Sequence, residues 1–503
     1  MNSPAPLQLS LKNVSFAYRA LPVLKDICWQ WQRGQQWACL GPNGAGKTTL
    51  AKLLSQQLNV ANGKIAFAPG LQSQGIAYVC FEQQRALCER DRQLDDSEFR
   101  SDASDPGTTV GQVIGIDGDA NTQTQDWLQR LGLEHILERG IRFISTGEMR
   151  KTLLLRAILS RPALLILDSP LDGLDRASQR EMSDILEQLL DSELNLLLLC
   201  RQTEDLPTGI SHLLLLDQGQ LIASGARQVV LANPAVQSIM NPPLAALGPL
   251  PPAANRPYQV PSDQALLKLR DVVVRYGDIT VLDRASWTFE HGQHCSITGP
   301  NGCGKTTLLS LVNGDNHKAY GQDITLFGRK RGSGESVWDI KQKFGLLNTQ
   351  LHLNHVRGMR VLEVVVSGFF DTIGLYDDWG DQQRQIASDW LVALGMASLG
   401  REPFDTLSFG MQRMVLLARA MVKSPVILIL DEPCLGLDGH HSRVILRAID
   451  HIAAHTDTQI LFVSHSAGET PACVNQWLEF VPAQDSYSLQ CTPATPQDCI
   501  SSQ

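Results

Sequence analysis

Two nonapeptides carry the clearest chemistry in this chain: GPNGAGKTT from Gly41 and GPNGCGKTT from Gly299. A loop of the form GxxxxGK[ST], set between a strand and a helix, turns backbone N–H groups inward around phosphate oxygens. Apolar runs precede both loops (WACL from Trp37, CSIT from Cys295) and helical stretches follow them. The pattern assigns nucleotide contacts to Gly41, Asn43, Gly44, Gly46, Lys47, Thr48 and Thr49, and again to Gly299, Asn301, Gly302, Gly304, Lys305, Thr306 and Thr307. Lys47 and Lys305 are expected to reach the β- and γ-phosphates, while the Thr48 and Thr306 hydroxyls bind Mg²⁺. The helix that follows points its positive end at the anion. Cys303 reads as a small filler.

A second pair of segments lies downstream, LILDSPLDGLD from Leu165 and LILDEPCLGLD from Leu428. Asp168 and Asp431 each end an apolar strand, where a carboxylate can hold a Mg²⁺-bound water. The expected metal set is therefore Thr48, Asp168, Thr306 and Asp431. Glu432 follows the second aspartate and can act as general base toward an attacking water. Ser169 follows the first, and a serine hydroxyl is a poor base at neutral pH. Losing a positioned base costs about 10²–10⁴ in rate.

The spacing shows a duplication. The glycine loops are 258 residues apart (299 − 41), as are Tyr18 and Tyr276 (276 − 18). Asp168 and Asp431 are 263 apart (431 − 168), as are Ser145 and Ser408 (408 − 145). So long a period suits two homologous domains, not a solenoid. Eight of the 25 prolines fall between Pro234 and Pro261 and mark a linker. The expected division is 1–230, a linker over 231–264, a second domain over 265–482, and a loose polar tail over 483–503. Short apolar strands alternate with helical stretches in each half, which predicts an α/β fold with a mainly parallel sheet. The stretch from Arg85 to about Gly107 is rich in Asp, Glu, Arg and Ser and reads as a solvated loop.

ISTGE around Ser145 and LSFGM around Ser408 precede the aspartate strands. With these altered LSGGQ-like signatures, the chain resembles the ATP-binding cassette (ABC) ATPases over nearly its whole length, twice. CFEQQRALCERD, ISTGEMRK and VLEVVVSGFFDTIGLY are similar to the molybdenum-transport-associated tandem ATP-binding proteins within that family. The resemblance implies two phosphate-loop nucleotide-binding domains, each with a parallel sheet core, an antiparallel β subdomain and a helical subdomain. It implies ATP and Mg²⁺ as cofactors. It gives Tyr18 and Tyr276 an adenine-stacking role, Gln83 (or Gln84) and Gln350 the Q-loop position, and His465 the switch contact to the γ-phosphate. Ser145 and Gly147, like Ser408 and Gly410, would contact the γ-phosphate across a head-to-tail pair. Site two then combines Lys305, Thr306, Gln350, Asp431, Glu432 and His465 with Ser145 and Gly147. Site one combines Lys47, Thr48 and Asp168 with Ser408 and Gly410. Its switch position holds Arg201, or Gln202 if the alignment slips by one. Glu148, Glu204 or Asp172 remain alternative bases for site one.

Composition bounds the rest. The chain has 503 residues, 43% hydrophobic and 19% charged, enough for a core in each half. A net charge of −9 argues against a nucleic-acid partner. The 11 cysteines include no CxxC pair, which points to free thiols in a reducing compartment. No apolar run approaches the roughly 20 residues of a membrane span, and MNSPAPLQLS does not read as a secretory leader. The expectation is a cytoplasmic, Mg-dependent ATPase, peripheral to the membrane when it serves a separate permease. Docking would use the helical regions near 108–145 and 355–405. The two cassettes are expected to pair, within one chain or between two. The alternative is a soluble tandem ATPase acting on translation or in regulation.

Overall fold

The computed structural model describes the chain except for residues 1–6, 20, 70, 72–74, 81–86, 89, 92–106, 117–120, 193, 245, 254–260, 262, 278, 349–350, 352–357, 373, 375–378, 465–469, 484–485 and 494–503. It divides into two compact units, Met1–Pro243 and Leu244–Gln503.

In the first unit, β1 (Leu7–Tyr18), β2 (Leu21–Gln32) and β4 (Asn62–Phe67) form an antiparallel sheet in the order β2-β1-β4. The main sheet contains β3 (Trp37–Leu40), β5 (Ile76–Val79), β6 (Leu164–Asp168), β7 (Asn195–Leu199), β8 (His212–Asp217) and β9 (Gln220–Ala226). Its order is β5-β6-β7-β3-β8-β9, parallel up to β8, with β9 returning antiparallel. The return is a two-residue turn in which Gln218 and Gly219 both have positive φ (46° and 78°), matching the twist of the paired strands.

The runs LLILD and NLLLL are nearly all apolar because both faces of a parallel sheet are covered. Side chains alternate between those faces. Leu165 and Leu167 enter one core with the helices Thr146–Leu159 and Thr122–Leu131; Leu164 and Ile166 enter another beneath the antiparallel layer.

The second unit repeats the plan. β10 (Leu267–Tyr276), β11 (Ile279–Phe289), β13 (Asp323–Leu326) and β14 (Arg329–Lys330) form the antiparallel layer. β12 (Cys295–Thr298), β15 (Phe344–Leu347), β16 (Ile427–Asp431), β17 (Gln459–Val463), β18 (Gln476–Pro482) and β19 (Tyr487–Pro493) form the main sheet, in the order β15-β16-β17-β12-β18-β19. Leu428 and Leu430 face one core, Ile427 and Ile429 the other. This is the expected α/β cassette architecture, twice.

The structure differs from the composition-based reading at three places. β19 extends the sheet into the stretch read as a loose tail, because Tyr487 and Leu489 pack on the core while their neighbours face outward. Within the proline-rich segment, Pro234–Met240 is helical, and Leu247 and Leu250 pack on the core of the second unit. There Gly248 donates its N–H to Ala393 (2.8 Å) and accepts from His451 (3.0 Å). The charged insertion has a buried foot, where Asp91 pairs with Arg142 at 2.7 Å and accepts from the Thr108 N–H. Its residues 92–106 lie outside the described part. Within the second helical region expected to serve docking, Val364, Val365 and Val366 are fully buried core residues.

Candidate nucleotide-binding sites

Each glycine loop connects the carboxyl end of a central parallel strand to a helix, the place where open α/β sheets bind ligands. In the first unit β3 leads to the helix Lys47–Leu54; in the second, β12 leads to Lys305–Asn313. Gly46 and Gly304 begin these helices at φ 101° and 106°, left-handed conformations that favour glycine. No side chain caps either helix and neither first turn is acidic, so the N–H groups there suit a phosphate. Gly41 has no room for a side chain: a Cβ would stand 2.2 Å from the Leu216 carbonyl oxygen. Asn43, Gly44, Asn301 and Gly302 form the outer turns, and Thr49 and Thr307 lie in the first helical turns.

The two lysines are buried within the loops. Lys47 Nζ donates to the carbonyls of Gly41 (2.6 Å) and Pro42 (3.0 Å). Lys305 Nζ donates to those of Gly299 (2.9 Å) and Pro300 (2.7 Å). Burial pushes the Lys305 pKa down; Cys303, Glu432 and Asp431 pull it back up. Cys303 is buried beneath the loop.

Thr48 and Asp168 come together across the sheet edge, with Thr48 Oγ1 donating to Asp168 Oδ2 at 2.7 Å. A hydroxyl beside a carboxylate at the phosphate end of a helix is a hard-oxygen pair of the kind that suits Mg²⁺. Thr306 and Asp431 occupy the corresponding positions. The next residue is kinked alike in both units: Ser169 has φ 52° and Glu432 φ 51°. Each donates its N–H to the neighbouring strand, Ser169 to Leu199 and Glu432 to Val463. Left-handed non-glycine residues are uncommon and cluster at functional sites.

Several groups escaped the motif reading. The Tyr78 hydroxyl donates to Asp168 Oδ2 at 2.9 Å. Burial first, then the Asp168 charge, push its pKa far up, so the phenol remains a donor. Arg150, one turn inside the helix after Ser145, donates to the carbonyls of Ser169 (3.1 Å), Pro170 and Asp172. Burial lowers its pKa to about 10. Arg413 is fully buried at the matching place in the second unit, and burial lowers its pKa likewise to about 10. The signal was available: Arg150 and Arg413 share the 263-residue offset (413 − 150).

Strand register bears on the alignment of Arg201 with His465. Asp168 pairs with Leu199 and Asp431 with Val463, so Arg201 and His465 both stand two residues past the equivalent point. Arg201 forms an ion pair with Asp172 at 2.8 Å. Asp205 lies just beyond; its pKa is pushed up to about 6, chiefly by burial, although it accepts a hydrogen bond from Gln202. Glu204 shares its short 3₁₀ turn. Gln83, Gln84, Gln350 and His465 lie outside the described residues.

Ser145 and Ser408 are N-caps of their own helices. Ser145 accepts from the Glu148 N–H (3.2 Å), and the Glu148 carboxylate accepts from the Ser145 N–H (2.7 Å), a reciprocal capping box. Gly147 and Gly410 follow in the first turns, where a Cβ would approach Ser178 Oγ (3.0 Å) and the His441 ring (2.0 Å) respectively. Tyr18 and Tyr276 end β1 and β10 with 44% and 43% exposure. The Tyr276 hydroxyl accepts from Asn316 (2.9 Å) and Lys318 lies 5.0 Å from its ring centre.

Comparison with known proteins gives a consistent answer. The ABC transporter family model matches residues 24–172 and 282–435. The ABC transporter ATP-binding protein ModF of Escherichia coli is 37% identical over 465 residues, covering 91% of this chain and 94% of that protein. An uncharacterized ABC transporter ATP-binding protein of Schizosaccharomyces pombe is 26% identical, covering 92% and 96%. The crystal structure of archaeal ribosomal stalk protein aP1 in complex with archaeal ribosome recycling factor aABCE1 contains a similar fold, with a TM-score of 0.59 and 17% identity over 95% of this chain and 89% of that one. Two matched cassettes, each with its glycine loop and strand-end aspartate, place the chain in the ABC transporter family as an ATPase with tandem ATP-binding domains.

Proposed function

We propose that this chain is the ATPase component or regulator of a membrane transport system, with one turning-over and one holding nucleotide site. The observation that carries the asymmetry is the pair Ser169 and Glu432: the same left-handed backbone turn, with a carboxylate on only one of them. No helix among the described residues is long and apolar enough to cross a membrane, so transport would require a separate permease. The resemblance suggests a molybdate-related system and a cytoplasmic place, peripheral to the membrane.

In this reading the cassettes pair head to tail. At the second site the loop N–H groups and Lys305 bind the β- and γ-phosphates, and Tyr276 supports adenine. Mg²⁺, held through Thr306 and Asp431, would neutralise phosphate charge. Glu432 accepts the proton of the attacking water, Gln350 and His465 orient water and γ-phosphate, and Ser145 and Gly147 close the site. The first site uses Tyr18, Lys47, Thr48, Gln83 and Asp168, closed by Ser408 and Gly410. With Ser169 in place of a base, it keeps nucleotide and holds the pair engaged.

Replacing Glu432 by Gln preserves shape and removes the base. Steady-state ATPase is expected to fall by at least about 10²-fold while ATP binding persists. Retention of more than about a tenth of the wild-type rate sinks the assignment. The same variant, trapped with ATP in native cells, tests the wider role by what copurifies. An integral-membrane permease supports transport; ribosomes or soluble factors alone move the reading to a non-transport tandem ATPase.

A further inference from the structure

Tyr78 has no use in the reading above, yet it touches the one carboxylate that the first site retains. It is 7% exposed, on β5, paired in register with Ile166 two residues before Asp168. In the second unit Leu346 pairs with Ile429, two residues before Asp431. The register makes Leu346 the counterpart of Tyr78, and a leucine brings no donor.

The consequences are local. A carboxylate rotates through a broad range about its last torsion unless something fixes it. Thr48 Oγ1 (2.7 Å) and the Tyr78 hydroxyl (2.9 Å) both donate to Oδ2 of Asp168, while Ser169 Oγ lies 3.4 Å from Oδ1. Were the Thr48 hydroxyl oxygen turned to a metal held with Asp168, the Tyr78 hydroxyl would still hold Oδ2 of that carboxylate. Partners that orient a metal-binding carboxylate typically govern 10–100-fold in metal affinity.

We propose that Tyr78 is a positioning residue for the metal at the first nucleotide site, clamping Asp168 so that this site retains Mg²⁺-nucleotide. This rests on the assignment of Thr48 and Asp168 to Mg²⁺ given above. It supplies a physical basis for holding, distinct from the missing base, which accounts only for slow hydrolysis.

The test uses the full chain carrying Glu432→Gln, so that bound ATP is not consumed. Radiolabelled ATP retained per chain is measured across a Mg²⁺ titration and again in EDTA. Tyr78→Phe removes the hydroxyl alone; Tyr78→Leu installs the side chain of the second unit and covers the case in which the first variant folds poorly. For the nucleotide that Lys47→Ala eliminates, the half-saturating Mg²⁺ should rise about tenfold or more in both variants. Retention in EDTA and the second nucleotide should not move. An unchanged Mg²⁺ midpoint overturns the proposal, as does an equal loss with and without metal, which marks Tyr78 as packing only. If the parent holds a single nucleotide, sensitive to Lys305→Ala and not to Lys47→Ala, the first-site assignment itself has failed, and with it the role of Tyr78.

Discussion

Asp205 shows how one residue records its surroundings. Its carboxyl titrates near 6 instead of 3.8, chiefly because burial disfavours the charged form. The folded state therefore holds this proton more tightly than the unfolded state. Stability is lost as pH rises from about 4 to 6, and the full cost persists above that. A shift of about two units corresponds to at most about 3 kcal/mol. Asp205→Asn should accordingly stabilise the protein at pH 8, with the gain vanishing toward pH 4 in urea unfolding curves. A gain independent of pH would assign the effect to something other than titration. Arg150 makes the opposite case. Arg150→Met keeps much of the volume but strips donors from three carbonyls of the loop after β6. A loss of about 1–3 kcal/mol is expected by the same measurement.

At the scale of elements, much was legible. The runs WACL and LLILD read as buried strands, and a glycine loop after the first marks where a phosphate is expected. The spacing of Asp168 and Asp431 after those loops located the strand ends. The charges of the edge elements were misleading. Composition marked the stretch beyond Pro482 as tail, yet Tyr487 and Leu489, alternating with polar neighbours, suffice for an edge strand on β18. Tyr78 was hidden for a related reason: in IAYV it looks like any strand aromatic, and only the lateral register between β5 and β6 brings it to Asp168. The choice between Arg201 and Gln202 likewise cannot be read along the chain; the pairing of Asp168 with Leu199 sets Arg201 at the same sequence offset as His465 after Val463. Sequence spacing reports what is near along the chain; these contacts lie across it.

For the whole molecule, the duplication gives a built-in control. Lys47→Ala and Lys305→Ala remove the same ammonium from equivalent loops. If the sites divide labour as proposed, Lys305→Ala abolishes turnover. Lys47→Ala instead raises the ATP concentration needed for activity and leaves the rate at saturation within a few-fold. Equal losses of saturating rate in the two variants would mean two working sites.

The shared left-handed turn at Ser169 and Glu432 reaches further than catalysis. A conformation costly for most side chains but glycine is kept where a serine stands in place of the glutamate. The sheet imposes it, through the N–H bonds to Leu199 and Val463. The main chain is thus a mould that casts whatever residue is poured into it. Under the proposed division of labour, work and storage are two fillings of that mould, and a protein so built could redistribute labour between its halves without redrawing a single strand.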